Sequence, residues 1–188
     1  MHNVPPQTTD HLLMSPPISF RTASLADVQN LATLTIQVWL HTYAKDGIRH
    51  DISAYVLGEF TPKKFAALIN NPQYRLLIAE NKGHLIAYDM LDLAASNADL
   101  PNAELKTFYV QEAFTGQGIG KQLLAYVERN LNQQAYWLSV NSNNTRAIAF
   151  YAHQAFVQHG VTYFEFGGNQ YENKVLVKHP KAIDIKHM

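Results

Sequence analysis

The apolar positions in the first part of the chain follow one short strand and then recur at helical spacing. Residues 18–21 have the length of a strand, and apolar side chains recur every three or four residues from Leu25 to Trp39. This spacing predicts a helix that ends before Asp46-Gly47. A second helical region is predicted between residues 52 and 70, with an interruption at Thr61-Pro62, because proline fits the first turn of a helix and not its interior.

The middle of the chain has runs of strand length. Residues 74–80 are a compact apolar run, Asn81-Lys82-Gly83 can form a turn, and residues 84–93 resume the strand. This pattern predicts a hairpin. The next strand is predicted at residues 104–110, so three strands follow one another here.

Two helices, one strand and a hairpin are predicted in the remainder. An apolar stripe at four-residue steps over residues 119–131 indicates an amphipathic helix. A strand at 135–140 is followed by residues 141–145, whose side chains favour the start of a helix. Residues 156–166 and 171–178 form the last hairpin. The order of elements predicts a mixed α/β layer protein rather than a doubly wound parallel sheet.

Length and composition fit one globular domain. The chain has 188 residues, of which 47% are apolar, and can bury a sizeable core. We expect the domain to span residues 18–179, with a flexible leader at 1–17 and a tail at 180–188. The leader lacks the apolar segment of a secretory signal, and no apolar run reaches the length of a transmembrane span. We therefore expect no membrane partner.

Charge and cysteine content exclude several classes of function. Fifteen basic and fifteen acidic side chains cancel, which argues against nucleic acid as the main partner. The chain has no cysteine, so a disulfide scaffold, a thiolate nucleophile and a cysteine metal site are excluded. The nine histidines show no metal-ligand spacing, and His84 and His153 are interpreted as structural or surface residues. The composition is compatible with the cytoplasm, which is the predicted location.

A glycine-rich loop between a predicted strand and a predicted helix is the first candidate site. Gly116, Gly118 and Gly120 alternate in it. Backbone N–H groups and the positive end of the helix dipole favour an anion there, usually a phosphate. The loop lacks the lysine–serine ending of a nucleotide P-loop, and the strands before it do not form the βαβ unit of a dinucleotide fold. Taken alone, it also fits a simple tight turn.

Asn144 and Tyr151 form the second candidate site, on the helix that follows the next strand. About two helical turns separate them, which places both on one face. The Asn144 amide can donate and accept hydrogen bonds, and the Tyr151 phenol can give a proton. The alternative is that Asn144 only caps the helix and Tyr151 packs with its hydroxyl at the rim.

Together, the two segments resemble the GNAT superfamily of N-acetyltransferases. Residues 105–124 resemble the strand, pyrophosphate loop and helix of its acetyl-CoA motif, and residues 138–156 resemble the motif that follows. In element order the resemblance covers most of residues 18–178. It implies a mostly antiparallel central sheet of about seven strands flanked by about four helices. Trp39 and Tyr43 are similar to the variable acceptor side of the family.

The resemblance implies an acetyl-CoA-dependent acyltransferase and a role for each part of its cofactor site. The backbone of Phe108 and Val110 would pair with the pantetheine arm as an added strand would. Asn144 would bind the same arm, and Tyr151 would be the general acid for the leaving thiolate. The residues expected at the pyrophosphate are Thr115, Gly116, Gln117, Gly118, Ile119, Gly120 and Lys121.

Two positions depart from the family pattern. Thr115 stands where the family usually has arginine or glutamine, so a side-chain contact to phosphate is missing, which Gln117 or Lys121 could replace. Ala155 stands in place of the glycine in a Gly-Phe pair, which suggests a local change in the turn.

Glu104 is the candidate base that deprotonates the amine. It matches a position that carries the base in some family members, and strand alternation predicts that its side chain shares a face with Lys106, Phe108 and Val110. The alternatives are an exposed carboxylate at a strand start and a water that serves as the base. Further candidates for the acceptor side are His41, Asp46, Asp89 and Asp92.

The leading hypothesis is transfer of an acetyl group from acetyl-CoA to a primary amine of a small molecule or protein. Without cysteine, direct transfer in a ternary complex is the mechanism left. One alternative is a non-catalytic acyl-CoA-binding regulatory module of the same fold, which Thr115 leaves open. Another is a nucleotide-binding protein, which the missing lysine–serine pair argues against. The final hairpin can support a homodimer through its edge.

Overall fold

The computed structural model describes residues 18–97, 99–166 and 168–180. The expected leader and nearly all of the expected tail lie outside these residues, so the division into leader, domain and tail stays a prediction. The strands are β1 (Ser19–Thr22), β2 (Tyr74–Asn81), β3 (His84–Asp92), β4 (Glu104–Val110), β5 (Tyr136–Asn141), β6 (Val157–Phe166) and β7 (Asn169–Lys178). The α-helices are α1 (Val28–Tyr43), α2 (His50–Glu59), α3 (Pro62–Asn70), α4 (Ile119–Asn130) and α5 (Thr145–His153).

The strands form one mixed sheet in the order β1-β2-β3-β4-β5-β7-β6. All neighbours run antiparallel except β4 and β5, which run parallel. The predicted fold class and the number of strands are therefore confirmed. The second helical region divides into α2 and α3 where predicted, because Pro62 begins α3 and the Thr61 hydroxyl accepts a hydrogen bond from the Lys64 N–H at 3.3 Å.

Helices cover both faces of the sheet. On one face, α1 and α3 pack through Leu31 and Phe65 against Tyr88 of β3. On the other face, α4 and α5 pack through Leu124 and Tyr151 against β2–β5 and β7. The predicted apolar stripe of α4 is buried along its whole length, with Ile119, Leu123, Val127 and Leu131 each at most 4% exposed.

A cleft opens in the sheet because β4 and β5 pair at a single position. Glu104 of β4 lies opposite Trp137 of β5, and the main-chain N–H of Trp137 donates to the Ala103 carbonyl at 3.1 Å. Beyond this point β4 continues to Val110 with no register to β5 among the described residues. The two strands thus separate toward their C-terminal ends.

The main chain of β4 presents polar groups to this cleft. The Gln111 N–H donates to the Ile86 carbonyl at 2.9 Å, so this pair is a hydrogen-bonded one. Hydrogen-bonded and non-bonded pairs alternate in an antiparallel ladder. The N–H and C=O groups of Val110 and Phe108, which lie opposite Ala87 and Asp89, therefore point away from β3 and toward the cleft.

A β-bulge in β4 changes the face on which Glu104 lies. Thr107 pairs with Met90 and Leu105 with Leu91, so Lys106 is an extra residue. As a result, Leu105 and Phe108 both pack into the core under α4 and α5. Glu104, next to Leu105, lies on the opposite face. The prediction that Glu104 shares a face with Phe108 and Val110 is wrong, because the bulge shifts the alternation by one residue.

Candidate active site

The glycine loop needs glycine at two positions for conformational reasons. Gly116 and Gly118 both have φ near +77°, in the left-handed region that other residues avoid. Gly118 is the N-cap of α4. Because the first N–H groups of a helix have no partner within it, this turn presents free donors at the end of β4. This geometry suits an anion.

Gly120 is required for a different reason, which is close packing. A Cβ on this residue would lie 3.3 Å from Cζ of Phe150 and 3.6 Å from Cε1 of Phe108. The start of α4 is therefore packed against both β4 and α5. The structure thus brings the glycine loop together with the helix that carries Asn144 and Tyr151.

Asn144 caps α5 and keeps donors available. Its Oδ1 accepts a hydrogen bond from the Ala147 N–H at 3.1 Å. Its Nδ2 has no partner within residues 18–97, 99–166 and 168–180. The capping interpretation of Asn144 is therefore correct, and its amide can still donate to a ligand.

Tyr151 is held by a group of aromatic rings. Its ring centre lies 5.2 Å from that of Phe156, 5.3 Å from that of Phe150 and 6.3 Å from that of Phe108. The Tyr151 hydroxyl has no hydrogen-bond partner in the described part of the chain. Burial, and then the neighbouring Tyr109, raise the pKa of Tyr151. The phenol is therefore protonated at neutral pH and can act as a proton donor.

Two polar side chains of the loop are engaged within the loop itself. The Thr115 hydroxyl donates to the Glu112 carbonyl at 2.8 Å, and Gln117 Nε2 donates to the Ala113 carbonyl at 2.9 Å. Lys121, in the first turn of α4, is exposed and has no ion pair among the described residues. Gln117 and Lys121 were the two residues expected to replace the phosphate contact that Thr115 lacks. Of these, only the Lys121 side chain has no partner among the described residues.

Glu104 lies beside a tryptophan that sequence reasoning treated only as a strand residue. Glu104 Oε2 is 3.2 Å from Nζ of Lys106. Trp137 lies opposite Glu104 across the strands, and its Nε1 is buried without a partner in the part of the chain that the structure describes. Since Tyr136 and Leu138 point into the core, Trp137 points to the same face as Glu104. Only the β4–β5 pairing could have identified this neighbour.

Of the other acidic candidates, Asp89 and Asp92 are not free to attract an amine. Asp89 is wholly buried, neither of its carboxylate oxygens has a partner within the described ranges, and burial raises its pKa well above the usual value. Asp92 Oδ1 accepts from Gln73 Nε2 at 2.9 Å and from the Ala94 N–H at 3.0 Å, so it holds a turn. Asp46 is exposed beyond α1.

An aromatic wall lines the side of α1 and α2 that faces β4. The ring of Trp39 lies 4.5 Å from that of Tyr43 and 5.0 Å from that of Tyr55. Burial, then the nearby phenols of Tyr43 and Tyr55, raise the pKa of Tyr109 on β4. The two residues predicted at the acceptor side, Trp39 and Tyr43, therefore belong to the wall next to this strand.

Ala155 keeps the backbone course that a glycine would take. Its φ is 64°, and the Phe156 N–H donates to the Tyr151 carbonyl at 3.0 Å across it. This is a left-handed helix end, where glycine is usual. The turn is therefore retained despite the substitution.

A model of the acetyltransferase (GNAT) family matches residues 45–156, which contain the loop, both motifs and the cleft. The chain belongs to the GNAT family of acetyltransferases. None of the helices of this GNAT protein within the described ranges is long and apolar enough to cross a membrane.

Several proteins are similar to this GNAT chain. An uncharacterized N-acetyltransferase of Mycobacterium tuberculosis is 27% identical over 130 residues, which cover 68% of this chain and 81% of the relative. The PaiA N-acetyltransferase of Thermoplasma acidophilum, in complex with coenzyme A, superimposes with a TM-score of 0.67 at 22% identity, over 87% of this chain and 99% of that one. YncA of Salmonella typhimurium, a putative acetyltransferase with acetyl-CoA, superimposes with a TM-score of 0.60 at 18% identity. The superposition covers 87% of this chain and 94% of YncA.

Proposed function

We propose that this GNAT protein transfers the acetyl group of acetyl-CoA to a primary amine by direct transfer in a ternary complex. The observation that carries the proposal is the cleft between β4 and β5. Unpaired main-chain groups of Phe108 and Val110 face it, and it lies between the glycine loop and α5, which carries Tyr151. PaiA and YncA, which share the fold, were determined with coenzyme A and acetyl-CoA.

The residues of the cleft fit the parts of coenzyme A. The main chain of Phe108 and Val110 would bind the amide groups of the pantetheine arm, as one strand binds another. Asn144 Nδ2 would donate to the same arm. The N–H groups from Gly116 to Gly120, at the positive end of α4, would bind the pyrophosphate, whereas the Thr115 N–H already donates to the Glu112 carbonyl at 3.0 Å.

Tyr151 is proposed as the general acid. When bound, acetyl-CoA supplies an activated thioester. Tyr151 would give its proton to the sulfur as the thiolate leaves, and its raised pKa keeps the phenol protonated until then. The aromatic rings around it fix the direction of the hydroxyl.

Glu104 is proposed as the base that receives the proton of the amine. It lies where β4 and β5 part, on the face opposite Phe108. That face also carries Tyr109, which lies near the aromatic wall of α1 and α2. An acceptor amine that entered between this wall and β4 would lie on the same face of β4 as the Glu104 carboxylate. Lys106 competes with the substrate for Glu104 Oε2.

Release of free thiol from acetyl-CoA tests this function directly. The purified protein is incubated with acetyl-CoA and a panel of amines that includes a polyamine, amino acids, aminoglycosides and peptides with free N-termini. Amine-dependent thiol release is expected with at least one acceptor. Binding of acetyl-CoA without turnover on a broad panel would instead favour the non-catalytic acyl-CoA-binding module.

Three further expectations stay predictions. They are a cytoplasmic location, no nucleic-acid partner, and a homodimer formed through the edge of the last hairpin. β6 is the edge strand of this hairpin, with Val161 and Tyr163 exposed on it. Size-exclusion chromatography with light scattering would test the dimer.

A further inference from the structure

Arg146 is a basic residue at the cleft, outside the two motifs' expected contacts with the cofactor. It is the second residue of α5, two positions after Asn144. Its Nη1 lies 3.4 Å from Oε1 of Glu112, which begins the 3₁₀ turn (Glu112–Phe114) before the glycine loop. The contact joins residues 34 apart in the chain and links α5 to the loop.

Glu112 lies between two basic side chains from different elements. Its other carboxylate oxygen, Oε2, is 3.9 Å from Nε2 of His41 on α1. Thr115 Oγ1 is 3.5 Å from Oε1 of the same carboxylate. The side chains of Glu112, Arg146 and His41 are all more than half exposed. Ion pairs this exposed contribute little to stability, so a stronger anion can displace the carboxylate from Arg146.

The loop itself is short of positive charge. Thr115 replaces the basic or amide side chain of the family pattern, and both Thr115 and Gln117 are engaged with carbonyl groups of the loop. Lys121 is the cation in the first turn of α4, and Arg146 is the cation that faces the loop from α5. An arginine can bind phosphate oxygens through two parallel N–H groups, which makes it the stronger partner for a phosphate.

We infer that Arg146 is a phosphate-binding residue of the cofactor site, which Glu112 holds in the free protein and releases when coenzyme A binds. The inference rests on the proposed function. Arg146 would supply the side-chain contact that Thr115 lacks. Glu112 would weaken cofactor binding in two ways, because it occupies Arg146 and because its own charge lies beside the anion site.

Calorimetric titration of coenzyme A tests this inference with four proteins. Arg146→Gln should raise the Kd for coenzyme A by about 10- to 100-fold, the range of a lost charge-assisted hydrogen bond. Glu112→Gln should lower the Kd several-fold. In the double variant, Glu112→Gln should lower the Kd less than it does in the wild type, because there is no Arg146 left to release.

Two controls separate charge from structure. Arg129→Gln removes the same charge in the last turn of α4, distant from the loop, and should leave the Kd unchanged. Pantetheine carries no phosphate, so its binding should be the same in wild type and Arg146→Gln. Dephospho-coenzyme A shows which phosphate is involved, since Arg146→Gln weakens its binding only if the pyrophosphate is the partner.

The outcomes distinguish this inference from the proposed function. If the wild-type protein does not bind coenzyme A, the proposed function and the inference both fail. If it binds coenzyme A and Arg146→Gln binds it equally well, only the inference is overturned. An equal loss of pantetheine binding in Arg146→Gln would also overturn it, because the residue would then act on the fold of the cleft.

Discussion

The ring of Phe150 lies against the backbone of Gly120, so close that a methyl group on Gly120 would come within 3.3 Å of its Cζ. Phe150 cannot move away freely, because its ring also stacks on Phe108, with centres 6.0 Å apart, and contacts Tyr151. This contact sets the distance between the start of α4 and α5. The glycine loop and Tyr151 are therefore positioned by one packed group.

Substitution of Gly120 by alanine should disturb both stability and cofactor binding. The extra methyl costs about 1–3 kcal/mol by overpacking, which exceeds the gain of about 1 kcal/mol from replacing a helical glycine. We expect a lower melting temperature and weaker binding of acetyl-CoA. Gly120→Ala with Phe150→Leu should recover part of both losses, because the smaller side chain makes room. An unchanged Kd in Gly120→Ala would show that the contact does not position the loop.

Tyr151→Phe should lower kcat by about ten- to a thousandfold, the range of a lost general acid. The Kd for acetyl-CoA should stay within about twofold, because the ring packing against Phe150 and Phe156 is retained. Tyr163→Phe, at an exposed position on β6, is the matched control. Steady-state kinetics together with a binding titration check this prediction. A kcat equal to that of the wild type would mean that Tyr151 only packs.

Glu104→Gln should change the pH dependence of the rate if Glu104 is the base. In the wild type, the Glu104 carboxylate would take the proton of a bound ammonium acceptor. In the variant, the rate should depend on the fraction of acceptor that is already unprotonated, so its rise moves to higher pH. Glu59→Gln, on the exposed end of α2, serves as the control. Superimposable profiles for all three proteins would assign the base to water.

Asp89 should make the protein less stable as the pH rises. The usual carboxyl pKa is about 3.9, and burial raises that of folded Asp89 well above it. Above pH ~4 the unfolded chain therefore loses a proton that the folded chain keeps, so stability is greatest below this pH and falls as pH rises toward the folded pKa.

Asp89→Asn removes this dependence and keeps the size of the side chain. Its free energy of unfolding should exceed that of the wild type by about 1 kcal/mol or more at pH 8, because each pH unit between the unfolded and the folded pKa of Asp89 costs the wild type about 1.4 kcal/mol. At pH 4.5 the difference should be much smaller. Urea denaturation at both pH values, with the exposed Asp99→Asn as control, measures it. An equal gain in the free energy of unfolding at both pH values would contradict the raised pKa of Asp89.

Ala155→Gly should stabilise the protein. A non-glycine residue in the left-handed region costs roughly 1–2 kcal/mol, and Ala155 has a φ of 64°. We expect a net gain of about 0.5–1 kcal/mol, because glycine also adds freedom to the unfolded chain. Ala149→Gly, in the middle of α5, should have the opposite effect, since glycine weakens a helix interior. Thermal denaturation of both variants would show effects of opposite sign.

Much of the fold could be predicted because the period of the apolar positions changes clearly along the chain. The stripe of α4 and the break at Thr61-Pro62 both depend on local rules, and both are observed. The need for glycine at Gly118 is also local, since it follows from a positive φ at a helix start. Local patterns were therefore sufficient for element order and for the glycine loop.

The parts that sequence could not predict depend on contacts between distant segments. The bulge at Lys106 adds one residue to a strand, and alternation alone cannot locate such a residue. The steric need for Gly120 depends on Phe150, thirty positions further along. Asp89 was a candidate for amine binding because nothing in its own segment shows that the surrounding side chains close over it.

The separation of β4 from β5 after a single pair also bears on how sequences in this family can diverge. The cleft is formed by the course of two main chains. The groups that face it at Phe108 and Val110 are main-chain N–H and C=O groups, and every residue except proline has both. Substitutions along β4 can therefore accumulate while the cleft persists, as long as each replacement forms a strand. Selection on a ligand held in this way would be weak along the strand and strong at Gly118 and Gly120, where only the absence of a side chain keeps the backbone in place.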